Sequence, residues 1–246
     1  MPDRTLGHLP IPTEAMILVG GKGTRLLSVV SDRPKPMAQV AGRPFVEWLL
    51  EMLREQGVRR AVLCTGHLAD LVEAHFGDGS CWDMELRYSR DPFPLGTGGA
   101  VRHALDQIEG ERFFVLNGDS YCRCNLEGLT DTHIRHRAKA TLWLVRKDDC
   151  RRFGSVRIDD SGAVQSFAEK ASVSGPGFIN AGVYLIEREA AAAIDPGRSV
   201  SLETELFPGL IGRGLFAVAG QDAFIDIGTP DSYAGAGRFI TEEVRV

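Results

Sequence analysis

The chain has 246 residues, of which 43% are hydrophobic and 25% charged, as expected for a globular protein with room for one large α/β domain or two small ones. Its formal net charge of -5 argues against a general nucleic-acid binder, which usually has a basic surplus. No stretch approaches the roughly 20 apolar residues of a membrane span. Five cysteines without a CxxC pair or a secretion signal predict reduced thiols and a cytoplasmic protein.

Strands and helices alternate in the first half of the chain. Residues 1–13 contain an early acid and several prolines, and we expect a short flexible extension there. The apolar runs and the glycine and proline punctuation then predict seven elements in order. These are a strand at 13–19, a helix at 44–57, a strand at 59–66, a helix at 67–77, a strand at 84–90, a loop and helix at 95–110, and a strand at 111–120. This alternation predicts an α/β fold with a doubly wound, mostly parallel sheet.

Strands follow one another more closely in the second half. A helix at 129–138 precedes strands at 140–147, 153–159, 163–170 and 178–186. A helix at 202–214, strands at 215–219 and 223–228, and a closing helix from Pro230 complete the chain. Such a run predicts antiparallel or mixed strands added to one end of the parallel sheet. No repeat or linker divides residues 14–246, so we expect one domain.

A glycine-rich loop follows the first strand. Gly20, Gly21 and Gly23 precede Thr24 and Arg25, which matches neither the dinucleotide pattern nor the P-loop pattern. Glycines let backbone N–H groups approach phosphate oxygens, and an arginine adds a planar pair of donors. A tight strand exit with an exposed arginine is the alternative interpretation.

Lys35 lies between two prolines, ten residues after Arg25. Because proline fixes φ, Pro34 and Pro36 are expected to hold the lysine in one direction, unlike the usual surface lysine. An oriented cation near a phosphate loop favours a catalytic role over a structural one.

These motifs resemble the signature of the sugar-1-phosphate nucleotidyltransferases, the nucleoside-diphosphate-sugar pyrophosphorylases. The stretches SVVSDRPKPMAQVAGRPF, LGTGGA and LNGDSY are most similar to the D-glycero-α-D-manno-heptose 1-phosphate guanylyltransferase branch. The resemblance runs from about residue 14 to the C-terminus. It implies a Rossmann-like fold of the nucleotide-diphospho-sugar transferase type. Residues of about 14–125 would hold the nucleotide, and a mixed-strand extension of about 126–246 would hold the sugar phosphate.

Two aspartates end apolar strands. Asp119 follows the strand at 111–120, and Asp226 has an equivalent place in FIDIGTP. Ligands bind at the carboxyl ends of such strands, and Mg²⁺ commonly takes one or two carboxylates together with substrate phosphates. A cap or turn role is the alternative for each aspartate alone. The resemblance also implies that Asp119 and Asp226 bind Mg²⁺, the one cofactor expected.

The resemblance further implies the reaction and the binding residues. An oxygen of a sugar 1-phosphate attacks the α-phosphorus of a nucleoside triphosphate, and pyrophosphate leaves without a covalent enzyme intermediate. Arg25 would hold the β- and γ-phosphates, Lys35 would lie at the α-phosphate, and the catalytic set would be completed by Asp119 and Asp226. The nucleotide-binding residues would be Leu18, Gly20, Gly21, Gly23, Thr24, Arg25, Gly66, Gly96, Thr97, Gly98, Asn117 and Gly118. The sugar-phosphate residues would be Gly154, Glu169, Lys170 and Asn180, with Ala171 departing from the family's usual proline.

Several histidines and cysteines lie outside these motifs. Cys122, Cys124, His133 and His136 do not have a usual zinc spacing, so thiols beside a strand and partly exposed histidines are the favoured interpretation. Two further histidines, His67 and His103, are interpreted as helix-surface residues, with an approach to the nucleotide as the alternative.

The expected function is the Mg²⁺-dependent formation of a nucleoside-diphosphate sugar, with GTP and D-glycero-α-D-manno-heptose 1-phosphate as the first choice of substrates. A hexose 1-phosphate with another triphosphate is one alternative, and a non-catalytic nucleotide-sugar-binding relative is another. Expected partners are these small molecules, with no nucleic acid or membrane, and a homo-oligomer is left open.

Overall fold

The computed structural model describes residues 10–21, 23, 26, 29–30, 32–168 and 175–244. The strands are β1 (Glu14–Leu18), β2 (Gln39–Val40), β3 (Arg43–Pro44), β4 (Arg60–Thr65), β5 (Glu85–Arg90), β6 (Arg112–Asn117), β7 (Ser120–Cys122), β8 (Ala140–Lys147), β9 (Ser155–Ile158), β10 (Val164–Ala168), β11 (Gly177–Glu187), β12 (Leu215–Gly220) and β13 (Phe224–Asp226). The α-helices are α1 (Phe45–Glu55), α2 (Ala69–Phe76), α3 (Gly96–Ala104), α4 (Leu126–Arg135), α5 (Arg188–Ala192), α6 (Phe207–Leu210) and α7 (Pro230–Phe239).

The first half of the chain forms a parallel sheet, as its alternating elements predict. β1 lies between β4 and β6, and β5 pairs with the other edge of β4. Both faces of β1 are covered, because Ile17 belongs to the core on one side and Met16 to the core on the other. After β1 the chain adds β4 at one edge of β1, and it later adds β6 at the opposite edge of β1. The carboxyl ends of β1 and β6 therefore form the switch point at which doubly wound sheets bind ligands.

The second half extends the same sheet with antiparallel strands. β11 pairs antiparallel with β6 through residues 183–187 and with β9 through residues 178–179. Its other edge pairs antiparallel with β8, which in turn pairs parallel with β12. The register shifts between Asn180 and Tyr184, where Gly182 has a φ of +73°. The predicted mixed-strand extension is therefore confirmed, and it shares one sheet with the strands of the first half.

Helices cover both faces of this sheet. Phe45, Leu49 and Leu53 of α1 pack in the core that contains Ile17, whereas Val101 and Ala104 of α3 pack in the core that contains Met16. Apolar spacing on each helix predicts these faces. Among the described residues, no helix combines the length and the apolar character that a membrane crossing needs.

Three kinds of element differ from the sequence-based expectation. The short strands β2, β3 and β7 have two or three residues each, too few for an alternating pattern to appear. The helix α5 was not predicted. The helix expected at 202–214 is a π-helical turn at Leu202–Leu206 followed by α6, because Pro208 fits only the first turn of a new helix.

Candidate active site

The exits of β1 and β6 lie in direct backbone contact. The Gly118 N–H donates to the Leu18 carbonyl at 3.0 Å, and a Cβ at Gly118 would lie 2.5 Å from that oxygen. The Gly20 and Gly66 backbones touch as closely, since a Cβ at Gly66 would lie 3.0 Å from the Gly20 oxygen. Glycine is therefore needed at these exits for packing.

Two cavities open at this switch point. The smaller, of about 230 Å³, is lined by Leu18, Gly21, Gly23, Lys35, Pro36, Asp119 and Gly228. The larger, of about 570 Å³, shares Leu18, Gly21 and Asp119 with it and extends past Gly66 and Asp91 to the start of α3. Because they share these lining residues, the two cavities are adjacent, and the smaller is polar whereas the larger is more apolar.

Lys35 projects into the smaller cavity from a 3-10 turn at Lys35–Met37. Its side chain is only 10% exposed, and its ammonium forms an ion pair with the Asp119 carboxylate. Gly23 has a φ of +57° and lies so close that a Cβ there would be 2.8 Å from the Lys35 Cβ. The glycine loop and the Pro-Lys-Pro motif thus meet around one oriented cation, as the sequence predicts.

A short strand pair brings Asp226 to Asp119. β13 pairs antiparallel with β7, so that Asp226 lies opposite Ser120, and the Ile227 N–H donates to the Asp119 carbonyl at 2.9 Å. The Asp226 carboxylate also meets the Arg152 guanidinium at 3.5 Å. The two acids come from opposite parts of the chain, 107 positions apart by number (226 − 119), yet reach the same corner of the fold.

This corner fits a magnesium ion that is completed by substrate phosphates. Asp119 and Asp226 supply hard oxygens, and Gly228 keeps the adjacent space open, because a Cβ there would lie 2.7 Å from Asp226 Oδ2. Within the described ranges no group of three or more His, Cys, Asp or Glu side chains could hold a metal alone. Two carboxylates beside a phosphate-sized cavity match the way in which Mg²⁺ is usually held in phosphoryl-transfer sites.

The predicted glycine loop forms the first turn of α3 rather than a loop before it, and this turn lines the larger cavity in part. Gly96 and Thr97 are on the wall, whereas Gly98 lies behind it and donates its N–H to the Val200 carbonyl at 2.8 Å. The Thr97 hydroxyl donates to Glu203 at 2.7 Å and accepts from the Leu202 N–H at 2.8 Å. The Thr97 side chain therefore joins α3 to the segment after Val200.

Gly96 offers a test of this wall. Its φ is +70°, and a Cβ would lie 2.5 Å from the Val200 oxygen, whereas Gly197 has a φ of +73° with open space around it. We expect Gly96→Ala to lower the free energy of unfolding by about 1–3 kcal/mol more than Gly197→Ala, the usual cost of overpacking. Urea denaturation of the two variants measures this difference, and equal losses would contradict the close packing.

The two asparagines predicted as ligands share a buried tyrosine. The amide of Asn180 donates to the Tyr184 hydroxyl at 2.7 Å, and the amide of Asn117 approaches the same oxygen at 3.4 Å. The Tyr184 hydroxyl donates to Glu203 at 3.2 Å. Asn117 lines the larger cavity, and its buried Oδ1 has no hydrogen-bond partner among the described residues. The Tyr184 hydroxyl thus connects the wall of the larger cavity to β11.

Other predicted site residues have less defined surroundings. Gly154 is half-buried in the turn directly before β9. Four residues lie outside the described part of the chain, namely Thr24, Arg25, Glu169 and Lys170.

The two cysteines and two histidines noted in the sequence analysis have separate surroundings in the structure. Cys122 and Cys124 are buried, and burial raises the pKa of both thiols, that of Cys124 to about 12. The expectation of a partly exposed His133 is wrong, because its side chain is 1% exposed. His136 is half-buried and stacks on Phe216 with 4.3 Å between ring centroids.

His133 is held in its neutral form. Burial lowers its pKa, Nδ1 accepts from the Thr141 hydroxyl at 2.8 Å, and Nε2–H donates to Glu187 at 2.9 Å. The Glu187 carboxylate opposes this shift, because it favours the protonated ring, whereas the positive charge of Arg112, which also contacts Glu187, lowers the pKa; burial outweighs Glu187, so the net pKa is lowered. The unfolded chain therefore binds a proton at His133 more readily than the folded chain does.

This pKa shift predicts a loss of stability in mild acid. As pH falls below about 6.5, the ordinary histidine pKa, the unfolded state takes up the proton first, so the free energy of unfolding decreases. We expect the wild type to lose more stability between pH 7.5 and 5.5 than His133→Gln, measured by urea denaturation at both values. Equal losses in the two proteins would mean that His133 titrates normally.

His67 and His103 differ from each other. His103 is an exposed residue of α3, as expected, and its Nε2 lies 3.2 Å from the Arg90 carbonyl oxygen. His67 is in the turn before α2 rather than on a helix surface, and it lines the larger cavity.

Two further residues of the site carried no signal in the sequence analysis. Arg152 approaches Asp226 and donates to the Thr229 hydroxyl at 3.1 Å. The only sequence signal for it is its place in the stretch RRFG, two residues before Gly154. Asp91 lines the larger cavity directly after β5. An aspartate before a proline usually indicates a turn, so only the fold reveals its surroundings.

Known proteins share this architecture. The model of the nucleotidyl transferase family matches residues 14–243. A mannose-1-phosphate guanylyltransferase of Mycobacterium tuberculosis is 38% identical over 223 residues, which are 89% of this chain and 62% of that protein. A D-glycero-alpha-D-manno-heptose 1-phosphate guanylyltransferase of Aneurinibacillus thermoaerophilus is 35% identical over 224 residues, 91% of this chain and 96% of that protein. The crystal structure of HddC from Yersinia pseudotuberculosis complexed with GMP-PN has a TM-score of 0.82 and 33% identity, and covers 92% of this chain and 99% of that one.

Proposed function

Since this chain belongs to the nucleotidyl transferase family, we propose that it is a sugar-1-phosphate guanylyltransferase. The observation that carries the proposal is the oriented Lys35 ammonium beside Asp119, with Asp226 in the same corner, at the point where two cavities join. Relatives that match most of this chain are named as guanylyltransferases, and a related structure was solved with GMP-PN, which supports GTP as the nucleotide.

The proposed reaction joins the two substrates across the smaller cavity. A phosphate oxygen of the sugar 1-phosphate attacks the α-phosphorus of GTP, the bond to the β-phosphate breaks, and pyrophosphate leaves with the electron pair. The attacking phosphate is already an anion, so no general base is needed. Catalysis then depends on positioning and on neutralising negative charge.

Each charged side chain has a part in this scheme. Lys35 lies at the α-phosphate and stabilises the charge that develops on its oxygens. Arg25 holds the β- and γ-phosphates and the leaving pyrophosphate, as the family resemblance implies. Asp119 and Asp226 hold Mg²⁺, which when bound supplies positive charge to the phosphate oxygens and fixes their geometry.

We assign the larger cavity to the nucleoside and the extension strands to the sugar phosphate. Gly154, Glu169, Lys170 and Asn180 are the proposed sugar-phosphate residues. Both named relatives act on sugars of manno configuration, and the heptose enzyme matches this chain over nearly its whole length. D-glycero-α-D-manno-heptose 1-phosphate is therefore the first substrate to test, followed by mannose 1-phosphate.

We also propose that residues 14–246 act as one domain, because the sheet runs through both halves. The five unpaired cysteines support a reducing, cytoplasmic setting.

The test crosses four nucleoside triphosphates with a panel of sugar 1-phosphates in the presence of Mg²⁺ and measures pyrophosphate release. We expect turnover with GTP and a manno-configured ester, and none without the ester. Highest activity with another triphosphate or with glucose 1-phosphate would contradict the assignment. Tight GTP binding without any turnover would instead identify a non-catalytic relative.

A further inference from the structure

Asp91 has an unusual position for an acidic side chain. It directly follows β5, and its N–H donates to the Thr65 carbonyl at 2.8 Å, which fixes it at the carboxyl edge of the sheet. Its side chain is half-buried and lines the cavity of about 570 Å³, together with Gly66, His67 and Gly96. The carboxylate is therefore part of the wall that faces a bound nucleoside.

This carboxylate has no ion-pair partner within the described residues, and its buried Oδ1 accepts no hydrogen bond there. The neighbouring Arg90 is occupied by Glu73 and Asp70, with nitrogen–oxygen distances of 2.6 and 2.7 Å. Burial raises the Asp91 pKa to about 6, and the nearby His103 only weakly opposes this rise. A buried oxygen that has lost its hydrogen bonds to water and has gained no protein donor raises the free energy of the folded state, unless a ligand supplies a donor.

We propose that Asp91 selects guanine, by accepting hydrogen bonds from the N1–H and the 2-amino group of the base. An ionised carboxylate only accepts hydrogen bonds, and paired donors on a planar group suit it best. Guanine presents two such donors side by side on its Watson–Crick edge. The inference rests on the proposed function, since it names the group that reads the base in the same site.

The other bases fit this carboxylate poorly. Adenine and cytosine each place one amino donor beside a ring acceptor, and uracil places one N–H between two carbonyl acceptors. Where an acceptor atom of the base faces the Asp91 carboxylate, neither the base atom nor the carboxylate oxygen receives a hydrogen bond. Unpaired acceptors are costly in a buried site, so such a base binds much more weakly. Asp91 thus favours guanine by attraction and disfavours the others by leaving acceptors unpaired.

Single-group changes in the nucleotide test the inference on the wild-type protein. ITP differs from GTP only by lacking the 2-amino group. Because a hydrogen bond to a charged group is worth about 1.5–3 kcal/mol, we expect kcat/KM to be about 10- to 100-fold lower with ITP. Equal use of ITP and GTP would overturn the inference, whereas turnover of GTP with a manno-configured ester tests the proposed function separately.

Asp91→Asn provides the second test. An asparagine offers one acceptor and one donor, which match the N1–H and the 2-carbonyl of xanthine. We expect kcat/KM with GTP to fall by about 100-fold and XTP to become the better substrate. Removing an unpaired, half-buried charge is not expected to lower the melting temperature. Asp106→Asn, an exposed position before β6, is the matched control and should behave as the wild type does.

The outcomes separate the two proposals. A wild type that prefers GTP over ITP, with a variant that prefers XTP, supports the role of Asp91. An Asp91→Asn variant that keeps the wild-type ratio of GTP to ITP overturns it and leaves the proposed function intact. If no triphosphate is turned over, the proposed function fails. Calorimetry with GDP, IDP and XDP then decides the base preference by the same comparisons.

Discussion

Lys35→Ala is expected to lower kcat by about 10²-fold or more, the scale seen when one donor to the transition state is lost. The structure supplies the physical reason, because the Lys35 side chain is only 10% exposed and lines the smaller cavity beside Asp119. An interaction made mainly in the transition state should reduce kcat and kcat/KM equally. Steady-state kinetics with GTP and the best sugar 1-phosphate measure both quantities.

Lys139→Ala is the matched control for this variant. Lys139 is exposed directly before β8, and the pairing of β8 with β11 and of β11 with β6 places it at the opposite end of the sheet from Asp119. Its turnover should equal that of the wild type. A rise in KM alone for Lys35→Ala would assign Lys35 to ground-state binding, and unchanged kinetics would remove it from the site.

Asp119→Asn and Asp226→Asn are each expected to lower turnover by on the order of 10²-fold and to shift the Mg²⁺ titration to higher concentrations. An amide keeps the shape of the side chain but removes the charge that a hard cation needs. The variants should fold, because the contact between the Ile227 N–H and the Asp119 carbonyl belongs to the backbone. Initial rates measured over a range of Mg²⁺ concentrations test the prediction.

Asp106→Asn controls for the loss of one negative charge in the same assay, since Asp106 is exposed between α3 and β6. A wild-type Mg²⁺ profile in either site variant would exclude that aspartate as a ligand. Asp119→Asn also removes the ion-pair partner of Lys35, so we expect a somewhat larger loss there than in Asp226→Asn.

The corner of the fold that contains both aspartates shows what can be predicted from the sequence and what cannot. The apolar neighbours of each aspartate predict its place at a strand end, and the alternation of elements predicts the doubly wound sheet whose carboxyl edge binds ligands. The placement of Asp226 near Asp119 depends on the pairing of β7 with β13, of three residues each. Strands so short have no readable period, so the pairing appears only once the sheet is assembled.

Long-range polar contacts were equally hidden. The Thr97 hydroxyl binds Glu203, 106 positions away, and no local pattern connects the two. The hydrogen bonds of the buried His133 ring go to Glu187 and Thr141, which come from different strands. Motifs predict side chains that serve a shared chemistry, whereas partners that meet only through tertiary packing must be read from the structure.

The ion pair of Lys35 has a thermodynamic consequence for substrate capture. A free lysine side chain has about 2 kcal/mol of rotamer entropy, which a flexible residue loses when it closes on an anion. Here burial and the ion pair with the Asp119 carboxylate restrict that freedom when the chain folds. A triphosphate that binds as proposed would therefore meet an ammonium that is already ordered, and its affinity would not be reduced by the cost of ordering that side chain.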